Sequence, residues 1–222
     1  MRPELLVFDM IGTTIEPSDA IPQAFRAALS NAGLHLSDDE ISAVRGKSKR
    51  EAIADLLASH LGQGDAARLQ EPVYAAFQNG LEEHYRSGTV RPIEGAVEAF
   101  EWGHSAGAKI ALTTGFDRNV ADLLIEGLGW AGKVDALVCN DDVAAGRPAP
   151  FLIQEAMRRT KVDSVSAVAS IGDTVPDLQA GVNAGIRWNL GVLTGAHNIT
   201  RLSGVDGAII LKSVADLLEY RW

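Results

Sequence analysis

Several polar clusters along the chain carry residue types suited to phosphorus chemistry. In the stretch Phe8-Asp9-Met10-Ile11-Gly12-Thr13-Thr14, the Asp9 carboxylate can attack phosphorus or bind a hard cation, and the glycine-threonine turn behind it faces an anion with backbone amides. Thr113, Thr114 and Gly115 supply hydroxyls and amides. Arg147, in a rigid turn between Gly146 and Pro148, presents a planar fork of donors that matches a phosphoryl group. Asp173 and Asp177 flank a helix start, an arrangement of carboxylates suited to Mg2+.

Each cluster must be positioned by the segment before it. Residues 5–8, 109–112, 136–139 and 166–171 are short apolar runs that end in polar or glycine-rich turns, with helical-period segments between them. Runs that are apolar on both faces predict an α/β chain with a Rossmann-like parallel sheet between helices, and ligands bind beyond the carboxyl ends of such strands. Residues 16–87 break this alternation with helical signals alone. A helix over 20–32 stops at Gly33, Ser37 with Glu40 and Ser48 with Glu51 form capping boxes, and 66–85 continue in helical period. This block reads as a small α-helical cap inserted into a core formed by 1–15 and 88–222; the alternative is extra helices packed on the sheet. Ile21, Phe25 and Leu29 are either core of that block or the face of a cap-to-cap homodimer.

Composition narrows the partners. The 222 residues carry a formal charge of −9, which excludes a general binder of nucleic acid or anionic membrane. There is no apolar run of membrane-spanning length and no signal-peptide pattern, so a cytoplasmic location is expected. A single cysteine, Cys139, suits a reducing compartment and reads as a buried small side chain rather than a nucleophile. Gly46-Lys47-Ser48 imitates a phosphate-binding loop, but Ile41 occupies the position of its first glycine. His104 and His197 lie at no metal-ligand spacing; His197 follows the turn after the last core strand and reads as a loop residue.

Taken together and in order, the strand-end clusters resemble the haloacid dehalogenase superfamily of aspartate-nucleophile phosphohydrolases. Within it the chain is most similar to the phosphonatase branch. There, as at Ile11, an apolar residue replaces the second aspartate of the first motif, followed by Gly-Thr-Thr. Thr113 to Phe116, the run Asp141-Asp142-Val143 with Gly146-Arg147-Pro148, and Gly172 to Asp177 match the later motifs. An enzyme that breaks a carbon–phosphorus bond has no ester oxygen to protonate and needs an electron sink. In this branch a cap lysine supplies one as a Schiff base with the substrate aldehyde, and the lysine position falls on Lys49. Arg45, Lys47 and Arg50 surround it, and like charge favours a neutral amine. The sequence departs from the branch at Ala52, where a cap histidine stands, and near Asp19, where a cysteine stands.

The resemblance implies a hydrolase acting on a small phosphonate or phosphate metabolite, phosphonoacetaldehyde-like. Mg2+ would be held by Asp9, the Ile11 carbonyl and Asp173, with Asp177 in support. Gly12, Thr13, Gly115, one of Thr113 or Thr114, and Arg45 would bind the phosphoryl group or substrate, and Arg147 would stabilise charge. The alternatives are a phosphomonoesterase, phosphoglycolate phosphatase-like, on a small ester, and a non-catalytic phosphate-binding protein.

Overall fold

The computed structural model describes residues 2–44, 46–88 and 90–222. Strands β1 (Leu5–Asp9), β2 (Lys109–Thr113), β3 (Ala136–Val138), β4 (Val168–Gly172), β5 (Trp188–Val192) and β6 (Ala208–Leu211) form one parallel sheet in the order β3-β2-β1-β4-β5-β6. The crossover order reverses at β1, so a crevice opens where β1, β2 and β4 end. The first four strands coincide with the apolar runs of the sequence. The strand before Leu193 is not the last, because β6 pairs with its outer edge. Asn189 and Gly191 interrupt the apolar pattern of β5; Asn189 is buried because its side chain donates to the Leu178 carbonyl at 2.7 Å.

Between β1 and β2 come α1 (Ala20–Ser30), α2 (Asp38–Ala43), α3 (Lys49–His60) and α4 (Gln63–Ser87). Helix α4 buries Ala66, Val73, Tyr74, Phe77, Leu81 and Tyr85, a helical stripe against which α1 and α3 pack. The Ser37–Glu40 capping box is present. That at Ser48 is not: Ser48 holds the cap position of α3, but its hydroxyl makes no capping bond. Phe25 and Leu29 are buried within the chain, so they are core of the helical block and not an exposed dimer face.

The chain leaves the sheet and returns at one place. The Glu16 amide donates to the Arg91 carbonyl and the Ile93 amide to the Thr14 carbonyl, each at 2.9 Å, so the two crossings brace one another. The remaining helices are α5 (Ala96–Ser105), α6 (Arg118–Gly127), α7 (Phe151–Thr160), α8 (Val175–Ala184) and α9 (Ile199–Leu202). Alternation along β1 sends Leu6 and Phe8 into one apolar cluster with α5 and α6, and Leu5 and Val7 into another with α7 and α8. The sheet is thus covered on both faces, which fixes its register and the height at which each strand ends. Among the described residues no helix is long and apolar enough to cross a membrane.

Candidate active site

Strand register delivers the carboxylates. Asp9 pairs with Thr113, and Phe8 with Ile171, so Asp9 and Asp173 leave the same end of the sheet at nearly the same height. Asp9, Asp173 and Asp177 are all buried, and one carboxylate oxygen of each lies within 4.8 Å of the others. The Arg147 guanidinium inserts among them: Nη1 donates to Asp9 Oδ1 at 2.5 Å and lies 2.7 Å from Asp177 Oδ1, while Nη2 donates to Thr113 Oγ1 at 2.7 Å. Asp177 Oδ2 accepts from the Thr174 amide at 2.9 Å, which caps α8. Its Oδ1 is buried with an ionic neighbour and no hydrogen bond.

Crowding shows in the proton affinities. Burial pushes the Asp9 carboxyl up to about 6, against the pull of Arg147 and with a further push from Asp177. Asp173 is raised well above the usual carboxylate range by burial and then by the charges of Asp9 and Asp177. Clustered hard oxygens, only partly neutralised by one guanidinium, with an Asp177 oxygen left without a hydrogen bond, fit a divalent cation.

A cavity of about 190 Å3 lies over this floor. Asp9, Ile11, Gly12, Thr114, Gly115, Arg147, Asp173 and Asp177 all line it, whereas Thr13 and Thr113 do not. Thr13 is fully buried, and its hydroxyl donates to Asp173 Oδ1 at 3.3 Å instead of facing the cavity. Thr113 bonds to Arg147, leaving Thr114 as the member of the pair that lines the cavity. Gly12 has φ +92, and a Cβ there would stand 2.5 Å from Asp173 Oδ2, so only glycine lets the turn pass this close. The sequence reading did not single out Gly195 and Ala196, which also line the cavity; the Ala196 amide donates to Asp173 Oδ2 at 2.7 Å. The Leu193-Thr194-Gly195 turn after β5 was the available signal.

The opposite wall comes from the helical block. Lys49, the first residue of α3, lines the cavity half-buried, with Nζ 5.7 Å from the centroid of the Phe116 ring. Its ammonium is pushed down to about 8, chiefly by burial; Asp9 opposes the shift and Arg147 adds to it. The basic neighbours are therefore not the cause. Lys47 Nζ is 2.7 Å from Asp55, and Arg50 pairs with Glu71 and lies 4.2 Å over the Tyr74 ring. Arg45 lies outside the described residues. Ala52 is fully buried within the apolar cluster and does not line the cavity, and Asp19 caps α1 by position.

This wall is seated on the core by close contacts. A Cβ on Gly146 would lie 2.6 Å from Ser48 Cβ, so the two backbones nearly touch. The Tyr74 hydroxyl of α4 donates to Asp117 Oδ2 at 2.7 Å, joining the block to the start of α6. Cys139 sits just past β3, fully buried, with its thiol pushed up to about 12 by burial, which leaves it unreactive. His104 pairs with Asp135 at the surface. His197 is buried rather than a solvated loop residue, because its Nδ1 accepts from the Val175 amide at 2.9 Å.

Comparison with known proteins identifies the family. The chain is 29% identical over 209 residues to a phosphonoacetaldehyde hydrolase of Bacillus cytotoxicus, covering 90% of this chain and 79% of that one. It is 30% identical over 210 residues to the enzyme of the same name from Bacillus cereus, with the same coverage of 90% and 79%. Its fold superposes on the crystal structure of a phosphonoacetaldehyde hydrolase-like protein from Oleispira antarctica with a TM-score of 0.83, at 22% identity, covering 98% of this chain and 90% of that one. Residues 6–190 match the model of the haloacid dehalogenase-like hydrolases, and the chain belongs to that family.

Proposed function

We propose that this hydrolase is phosphonatase-like, cleaving the carbon–phosphorus bond of a small 2-oxoalkylphosphonate with Asp9 as nucleophile and Lys49 as the amine that holds the carbonyl. The observation that carries this reading is the placement of Lys49, its ammonium lowered to about 8, on the wall of the cavity that Asp9 also lines. Residues 16–87 act in it as the cap, and 1–15 with 88–222 as the core. Relatives at 29% and 30% identity that are phosphonoacetaldehyde hydrolases support the same class of substrate.

The chemistry follows from the groups present. Neutral Lys49 adds to the carbonyl carbon, water leaves, and a proton taken from solvent makes the resulting imine an iminium. An Asp9 oxygen then bonds to phosphorus as the carbon–phosphorus bond breaks, and the released pair passes through carbon into the iminium to give an enamine. Protonation and hydrolysis of the enamine free Lys49 and the carbonyl product. Water cleaves the aspartyl-phosphate to inorganic phosphate. Because no ester oxygen needs a proton, Ile11 can stand where a second carboxylate would serve a phosphatase. Thr114 and the Gly115 amide hold phosphoryl oxygens beside the Gly12 turn, whose own amide donates to the Ile15 carbonyl at 2.8 Å, and Arg147 stabilises their developing charge. Thr13 and Thr113 act through Asp173 and Arg147, which they hydrogen-bond. Asp9, the Ile11 carbonyl and Asp173, supported by Asp177, would hold Mg2+, which when bound offsets the repulsion between the nucleophile and the phosphoryl oxygens.

Ala52, buried where the branch has a cap histidine, favours a second reading as a phosphomonoesterase in which Lys49 binds the anion. A screen of carbonyl phosphonates and phosphate esters with Mg2+, read by phosphate release, separates the two. Turnover of phosphonoacetaldehyde that is lost in Asp9→Asn supports the first reading; turnover of esters alone rejects it.

A further inference from the structure

We infer that the organic half of the substrate is an unhydroxylated, apolar chain longer than a two-carbon aldehyde. This rests on the phosphoryl-binding role proposed for the floor of the cavity. The cavity lining divides by origin. The segments after the core strands supply the carboxylates, Arg147 and Gly115, and the start of α3 with the turn before it supplies Lys49 and Lys47, whereas the linker and the first two helices supply Pro17, Ile21, Pro22, Phe25 and Ile41. Among the described lining residues of that wall, Ser18 is the only side chain with a hydrogen-bonding group. Phe116, which lies under the Lys49 ammonium, continues the apolar surface toward the floor.

Phe25, Ile41 and Phe116 are buried members of the main apolar cluster, with Ile21 packed against it, so the wall is anchored rather than adaptable. Ile21 and Pro22 are half-buried at its margin. A sugar phosphate set against this surface would leave its hydroxyls without partners, which costs about 10- to 100-fold in affinity at an apolar wall. An alkyl or aryl chain would instead remove apolar surface of both molecules from water.

The test is calorimetric titration of the full chain, in excess MgCl2, with alkylphosphonic acids from methyl to hexyl and with hydroxylated acids of matching length. Kd should fall about fourfold per added methylene, with an increasingly negative heat-capacity change. The hydroxylated acids should bind about tenfold or more weakly than their alkyl counterparts. Ile21→Ser and Pro22→Ser, each checked for folding by thermal melting, should flatten the chain-length slope. A Kd independent of chain length, or a preference for the hydroxylated acids, overturns the inference. If that occurs while phosphate release still depends on Asp9, the hydrolase reading stands alone. If no acid in the series binds, both fall.

Discussion

The strand ends and the cap segment place their charges in opposite ways. Beyond the strand ends, Asp9, Arg147 and the Asp173–Asp177 segment are far apart in sequence and converge: Arg147 pairs with Asp9 and Asp177, and one oxygen of each aspartate lies within 4.8 Å of the others, because parallel register sets the height at which each strand stops. In the cap segment, Lys47, Lys49 and Arg50 are neighbours in sequence and separate: Lys49 lines the cavity, Lys47 borders it but turns its ammonium to Asp55, and Arg50 lies over Tyr74. A helix start turns successive side chains by about 100°, so a basic run there is a fan and not a patch. Convergence of charge is a property of the sheet, whereas the basic side chains of the helical block are held apart by separate partners.

The strongest way to break this contrast is at its floor. Asp9→Asn should lower phosphate release by about 10⁴-fold or more, as loss of a nucleophile does, with the fold retained by circular dichroism. Retained turnover would remove the convergent site from the chemistry.

The cap side is tested next through pH. If Lys49 must be neutral, kcat/KM for a carbonyl phosphonate rises with pH and levels above about 8, the value to which burial lowers its ammonium. The same lysine titrates near 10.5 when unfolded, so the folded chain binds fewer protons between about 8 and 10.5 and Lys49 makes stability rise with pH across that window. Lys49→Met should therefore raise Tm at pH 7 while abolishing this limb of the rate profile. Lys47, whose ammonium is paired with Asp55, should not control that limb.

The seam between the two regions gives smaller effects. Gly146→Ala puts a methyl 2.6 Å from Ser48 Cβ, so the cap must shift; kcat/KM should fall by about 10- to 100-fold. Tyr74→Phe removes the bond to Asp117, which keeps donors from Gln78 and Asn140. It should cost about 1 kcal/mol, seen as a Tm lower by about 2–4 °C.

What the sequence made legible follows the same division. Uniform apolar runs marked β1, β2, β3 and β4 and their endings, and order alone placed the carboxylates and Arg147 together. β6 gives a weak signal because its residues are only half-buried, and Asn189 gives no sign in sequence that its side-chain amide donates to a backbone carbonyl. The choice between Thr113 and Thr114 depended on tertiary placement, since adjacent residues at a strand end point to opposite faces and their sequence does not say which face meets the cavity. Spacing also suggested a capping box at Ser48, but that residue is pressed against Gly146 and its hydroxyl does not cap α3. Local signals of the cap segment were thus readable as helix, but which lysine faces inward was a matter of tertiary packing.

Borohydride reduction in the presence of phosphonoacetaldehyde, followed by peptide mapping, tests the meeting of cap and core most directly. A reduced adduct on Lys49, absent in Lys49→Ala and kept in Lys47→Ala, is the predicted result. An adduct on Lys47, or turnover of phosphonoacetaldehyde with no adduct at all, would contradict it.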